Sequence, residues 1–248
     1  MRLWYYKLLV IVTVGWLLGV ARADAESIQL RVTDGTTSVT ISDNGPGDAA
    51  GMLTGAISWT GSVGAWNLVV DVGTGSAVLG PGHMDLTYNA TSTSGTGSAL
   101  TMILSQTGTT PSFPGWGTSI GGTLNGGITS VSYSAYASSS NSFFACSPIN
   151  PGIMCDSAGT QIGSTLTATS SPYALTNGGP ISGLTTPYSL TEVLRIQGNG
   201  NAPAQATGDA TLTPVPEPTT LALMGAGLVG LVMVKRKRSK IQPPAVSL

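Results

Sequence analysis

The chain has 248 residues, among them 34 Gly, 15 Pro, 10 basic and 11 acidic side chains and one His. A charged share of 8%, against roughly 25% in an average soluble domain, argues against a cytosolic enzyme, a coiled coil or a nucleic-acid binder. Eight of the ten cations sit at the ends, at Arg2, Lys7, Arg22, Lys235, Arg236, Lys237, Arg238 and Lys240; residues 24–213 carry ten carboxylates against Arg31 and Arg195, a net charge of −8 that repels a polyanion such as DNA.

Arg2 and Lys7 precede the apolar run 8–20 (LLVIVTVGWLLGV), and Ala21-Arg22-Ala23 then places small residues at the two positions a signal peptidase reads. Residues 1–23 are therefore expected to be a secretory signal peptide cleaved after Ala23. Thirteen apolar residues make about 20 Å of helix, short of the roughly 30 Å hydrocarbon layer that a permanent span must cross.

From Asp24 onward the pattern has period two. Ile28, Leu30 and Val32 alternate with Gln29 and Arg31, Val39 and Ile41 follow, and Trp66, Leu68, Val70 and Val72 share a phase; these spacings predict half-buried strands. Further strands are predicted over 100–104, 131–135, 166–168, 190–196 and, as a short last one, 210–212. Between them stand turn clusters at 34–36 (DGT), 43–47 (DNGPG) and 177–180 (NGGP). No part of this body has a helical period. Short strands with Gly, Pro and Asn turns predict an all-β fold: an antiparallel β-sandwich, Greek-key or jelly-roll-like, over the exported residues 24–213. A body of that size can bury about 70% of its unfolded surface and needs no metal to fold.

Several motifs within the body suggest chemistry. Cys146 and Cys155, the only cysteines, are expected to pair in an oxidising envelope, closing a ring that two prolines stiffen; two thiols and one distant imidazole do not make a structural zinc site. Gly117-Thr118-Ser119-Ile120-Gly121 spells the hydrolase nucleophile elbow, but Gly and Ser are abundant enough to produce it by chance, and no βαβ pattern surrounds it. His83 is the one imidazole that could act as a base, and a rim histidine is the simpler reading. No catalytic residue and no cofactor is expected. Asp43, Asn44 and Asp48 offer hard oxygens that can coordinate Ca²⁺, yet the same residue types build a tight turn. Ser and Thr crowd the outward positions, as in 91–94 and 138–140, which suits a surface among hydrated polysaccharides and could carry O-linked sugars. Trp59, Trp66 and Trp116 could stack on sugar rings if exposed, or fill a core. Asn89-Ala90-Thr91 is a sequon by pattern.

At the C-terminal end, Pro214-Val215-Pro216-Glu217-Pro218 is followed by an apolar stretch and then by Lys235-Arg236-Lys237-Arg238. Prolines keep the first part extended and accessible. Residues 219–234 make about 24 Å of helix, a marginal span aided by snorkelling Lys and Arg stems, and the cations hold the tail on the cytoplasmic side. Gly225-Ala226-Gly227-Leu228-Val229-Gly230 matches a dinucleotide fingerprint in letters only, since it has no βαβ context and no acidic residue about 20 positions later. Small residues there suit close helix approach in a membrane.

Val215-Pro216-Glu217-Pro218, the Gly-rich apolar segment and the basic cluster resemble a PEP-CTERM sorting signal over 214–240, with 241–248 as a short tail past the usual end. The resemblance implies export in a Gram-negative envelope and recognition by an exosortase-type membrane peptidase. On that reading Pro216, Glu217 and Pro218 are the tripeptide read, 219–234 is a single transmembrane helix, and the cations 235–238 are the retention element. The hairpin 28–43 with Trp59, Trp66 and 188–196 also resembles the outer regions of other PEP-CTERM proteins. The expected function is a non-enzymatic surface or extracellular-matrix protein, held briefly at the inner membrane and then released at the cell surface. Its expected partners are signal peptidase, the exosortase-like peptidase, the membrane and exopolysaccharide, and not nucleic acid. The alternatives are a glycan- or ice-binding module, as related tails occur on ice-binding proteins, although the TxT pairs at 165–167 and 211–213 are too few to make a flat ice face, and, third, a secreted hydrolase.

Overall fold

The computed structural model describes residues 26–92, 99–150, 154–201, 203–215, 225, 226 and 228, with the backbone alone for 70–72. The expected signal peptide with Ala21 and Ala23, the tripeptide Pro216, Glu217 and Pro218, nearly all of the span 219–234 and the cluster Lys235, Arg236, Lys237 and Arg238 lie outside these residues. Among the described residues no helix is long and apolar enough to cross a membrane.

Twelve strands and one helical turn follow in order: β1 (Ser27–Thr33), β2 (Ser38–Ser42), β3 (Ala56–Val63), β4 (Trp66–Thr74), α1 (Ser76–Leu79), β5 (Met84–Ser92), β6 (Ala99–Thr109), β7 (Gly115–Gly126), β8 (Ile128–Ser138), β9 (Thr160–Ala168), β10 (Tyr173–Pro180), β11 (Tyr188–Gly198) and β12 (Ala204–Pro214). They form two six-stranded antiparallel sheets. Sheet A runs β2-β1-β6-β11-β8-β9 and sheet B runs β10-β7-β12-β5-β4-β3. The expected all-β sandwich is therefore the fold. The last eight strands wind as a jelly roll: β5, β12, β7 and β10 lie side by side in one sheet and β6, β11, β8 and β9 in the other. The pair β1–β2 extends sheet A, and the pair β3–β4 extends sheet B.

The core lies between the sheets and is built by alternation. Met84, Leu86, Tyr88 and Ala90 point inward from β5, and Asp85, Thr87, Asn89 and Thr91 take the outward phase. On β12 the inward set is small, Ala204, Ala206, Gly208, Ala210 and Leu212, which leaves room for the large rings facing it. The hydroxyls of Tyr88 and Tyr173 meet over Gly208 at 2.5 Å, and a Cβ there would lie 2.7 Å from both. A bulge between Val69 and Val72 breaks the single phase expected for β4, so that Gly73 takes the position against Leu104.

Two further expectations change. Residues 177–180, expected as a turn, belong to β10, an edge strand in which glycine and a final proline cost no ladder bonds on the open side. The last strand spans Ala204–Pro214 rather than 210–212, and it sits between β5 and β7 as a central strand of sheet B.

Sheet A is covered on its outer side too. The segment after β8 folds over β6 and β11, where Phe144, Tyr136 and the Cys146–Cys155 disulfide pack on Ile103 and Val193. Arg31 fixes this cover. Its guanidinium donates two bonds to Asp156, at 2.8 and 2.9 Å, donates to the Met154 carbonyl at 3.0 Å and stacks 3.9 Å from the Phe144 ring centroid. Among the described residues sheet B has no comparable cover, and its outer face is where side chains remain available.

Candidate functional site

The outer face of sheet B is a flat field of short polar side chains, because the outward phase of its central strands holds Thr, Ser, Asn, Gln, Asp and Gly. Neighbouring strands pair them across the ladder. Thr87 donates to Asp209 at 2.8 Å, Gln205 donates to Asn89 at 3.2 Å, and Thr123 and Thr207 hydroxyls meet at 2.8 Å. Ser119 and Thr211 hydroxyls meet at 2.5 Å. Gly117 and Gly121 add no side chain, so the face stays level across β7.

Two hollows interrupt it. One, of about 230 Å³, is lined by Thr60, Gly61, Ser62, Asn67, Leu68, Val69, Asn89 and Thr91; it is below the roughly 300–1,000 Å³ of small-molecule pockets and is a shallow groove. The other, of about 380 Å³, lies beside the point where the chain leaves β12, between Trp116, Asn177, Pro180 and Val215. It offers backbone and apolar surface without a titratable side chain.

The acidic groups of this region have unusual surroundings. Burial pushes the Asp85 carboxyl up to about 7, with the adjacent Asp209 carboxyl adding to the rise. The Asp85 Oδ1 atom is buried and has no hydrogen-bond partner among the described residues. Across the core, Glu192 stands in the inward phase of β11 between Leu190 and Leu194 and is completely buried. Tyr133 donates to its Oε1 at 2.6 Å and also lies 3.2 Å from the Thr211 carbonyl of the opposite sheet. Burial holds Glu192 well above the usual carboxylate range and Tyr133 well above the usual phenol range. Burial thus disfavours the charged form of Glu192, and the carboxyl serves as a hydrogen-bonding element of the core.

The residues singled out from the sequence fall as follows. Cys146 and Cys155 form the expected disulfide. Asp43 and Asp48 direct their oxygens at the chain: Asp43 accepts from the Gly55 amide and the Asn44 side chain, and Asp48 accepts from the amides of Asn44, Ala50 and Ser58, all at 2.8–3.0 Å. These bonds are those of the tight turn expected of the same residues. Ser119 lies in the middle of β7 and not on a strand-to-helix turn. His83 precedes β5, which is two strands from β7 with β12 between, so its backbone is roughly 10 Å or more from that of Ser119. Trp59, Trp66 and Trp116 are all buried and fill the core, which removes them as stacking platforms for sugars. The TxT pairs lie in different sheets, 165–167 on β9 and 211–213 on β12. Val215 donates its amide to the Gly115 carbonyl at 2.9 Å and is half-exposed. Glu192, Tyr133 and the Asp85–Asp209 pair were not anticipated; an acid in the core phase of an otherwise apolar strand was the available signal.

The PEP-CTERM protein-sorting motif matches residues 214–238. Among curated proteins none matches the chain. Solved structures with similar strand arrangements include TmCBM61 in complex with beta-1,4-galactotriose, at 9% identity over 61% of this chain and 83% of that one, with a TM-score of 0.31. Another is the CBM22-1 xylan-binding domain of Paenibacillus barcinonensis Xyn10C, at 10% identity over 66% and 88%, TM-score 0.30. A family 29 carbohydrate-binding module shares 13% identity over 70% and 92%, TM-score 0.28. Overlap of this extent carries no inference about a ligand.

Proposed function

We propose that this chain, which carries a PEP-CTERM protein-sorting motif, is a non-enzymatic surface or matrix protein. Its jelly-roll body is exported, is held at the inner membrane by the C-terminal segment and is released by an exosortase-type peptidase. The observation that carries this reading is the junction. β12 ends at Pro214, the motif begins at the same residue, and among the described residues Val215 makes the last backbone bond to the body. A folded domain that is finished where its sorting signal starts can lose that signal without losing a strand.

Mass spectrometry of both termini tests it. Cells with the peptidase should yield a product that begins at Asp24 and ends within or shortly after Val215-Pro216-Glu217-Pro218. Cells without it should retain the chain to Leu248 in the membrane fraction. A product ending at Leu248 in both strains removes the sorting reading.

The outer face of sheet B supports a contact with hydrated polysaccharide, since a level array of hydroxyls, amides and carboxyls exchanges water bonds for sugar bonds at little cost and has no cation to demand an acidic ligand. Binding of the released protein to a glycan array, lost when Thr207 and Thr211 are both changed to Val, distinguishes this from a purely structural role. A hydrolase reading draws no support from Ser119 and His83, which stand two strands apart, and His83→Ala is expected to leave any measured property intact.

A further inference from the structure

The two ends of the sandwich differ. At one of them meet the close of β4, α1, the start of β5, the 49–55 loop and the point where the chain leaves β12. The Gly75 amide donates to the Gly55 carbonyl at 2.9 Å, and a Cβ at Gly55 would lie 2.5 Å from that of Ala77, so the loop and the helical turn are packed together. Leu212 pairs with Met84, just after that turn, which puts Val215 at the same end. Met52 is 96% exposed and Leu53 56%, and Val78, Leu79 and Val215, at the same end of the sandwich, are exposed as well. Among the described residues of 26–215, the one other exposed large apolar side chain is Ile149, in the disulfide loop.

We propose that this end is a membrane-contacting tip: Met52, Leu53, Val78 and Leu79 enter the bilayer interface while the C-terminal segment is embedded. The inference rests on the reading that 219–234 enters the membrane. Three residues separate Val215 from Thr219, so the chain between them spans no more than about 14 Å even when fully extended. A body tethered that closely is pressed to the bilayer by whichever end the tether leaves, and that end is the one with greasy residues. Charge does not provide the attraction. Of the body's two cations, Arg31 is locked onto Asp156 and Arg195 lies toward the opposite end, paired with Thr101 and bonded to Gln197. Contact is therefore with the apolar part of the lipid and is indifferent to anionic headgroups.

Because Cys146 and Cys155 are paired, one introduced cysteine gives a single labelling site on the full chain. Met52→Cys, Asn201→Cys at the other end and Ala226→Cys within the apolar segment would each carry an environment-sensitive fluorophore, in phosphatidylcholine vesicles with and without brominated acyl chains. The expected result is a blue shift and bromine quenching at positions 52 and 226, and neither at 201, with no change when phosphatidylglycerol is included. Quenching at 226 with a water-like signal at 52 overturns the tip and leaves the sorting reading standing. No quenching at 226 overturns both. A shift at 52 without bromine quenching, as self-association or docking on the peptidase would give, overturns the lipid assignment.

Discussion

Glu192 is the residue whose chemistry departs furthest from its type. A carboxyl among Leu190, Leu194 and Tyr133 is held with its charged form disfavoured by burial, and it accepts a short bond from the phenol. Three carboxyls, Glu26, Asp85 and Glu192, are raised chiefly by burial, so each binds its proton more tightly folded than unfolded. Where the native state holds more protons, stability falls as pH rises. The loss begins near pH 4 and runs through about 7 for Asp85, and Glu192 adds a loss of the same sign. Asp34 has the opposite sign, since backbone amides of Thr37 and Thr36 lower it, but its window lies below about pH 4. Melting temperature is therefore expected to fall from pH 5 to pH 8. Glu192→Gln, which keeps the acceptor for Tyr133, should flatten most of that slope. Asp85→Asn should flatten less, on the order of 1–2 kcal/mol, because the group is only half-buried and solvent screens it. Calorimetry at several pH values measures this; equal slopes in the wild type and both variants would show that these acids titrate normally.

The element that most rewards a stability experiment is the cover over sheet A. β6 and β11 are buried on both faces, with Phe143, Phe144, Cys146, Met154 and Cys155 packed on the outer side against Ile103 and Val193, so this cover is part of the core and not a loose loop. Two ties hold it, the disulfide and Arg31. Opening a ring of ten residues should cost about 2–3 kcal/mol, and Arg31→Lys, which loses the two-pronged bond to Asp156 and the stacking on Phe144, about 1–3 kcal/mol. Both restrain one segment, so the costs should not add: with Cys146 and Cys155 both changed to Ser, Arg31→Lys is expected to cost visibly less. Urea titrations of the four proteins give the coupling, and full additivity would mean that the ties act on separate units. The same elements show what the sequence made legible. β1, β2, β8 and β11 stand out by apolar alternation, which their half-polar partners preserve. β5 has as clean an alternation in Met84, Leu86, Tyr88 and Ala90, with nothing hidden, and was nonetheless not among the expected strands. β7 and β10 are obscured for a physical reason: their glycines leave no side chain to alternate, although those glycines are what let β12 and the two tyrosines approach. The candidate face was legible only as a surplus of outward Ser and Thr, because the cross-strand pairs depend on a register that no local pattern specifies.

At the scale of the whole molecule, the jelly roll brings the first and last described residues of the body, Glu26 and Val215, to one side. Glu26 hydrogen-bonds with Ser76 of α1, at the end where Leu212 of β12 pairs with Met84, so Glu26 and Val215 stand at the same end of the body. The body is one strand tall, about 35 Å for eleven residues. Had the ends been opposed, a chain with both apolar segments in one bilayer would need a connection of that length along the side of the sandwich, and between position 23 and β1 there are only three residues. With the ends together, folding of the body does not wait for signal-peptide removal. Ala23→Tyr, which blocks the peptidase pocket that reads a small residue, tests the consequence. The variant is expected to form the Cys146–Cys155 disulfide and to be trimmed at its C-terminal signal as the wild type is, yet to stay in the membrane fraction, held by residues 1–23. Non-reducing electrophoresis and mass spectrometry of the C-terminus read the two events separately. A variant that stays reduced, or keeps its C-terminal signal in a strain that trims the wild type, would mean that the two ends cannot share one bilayer around a folded body.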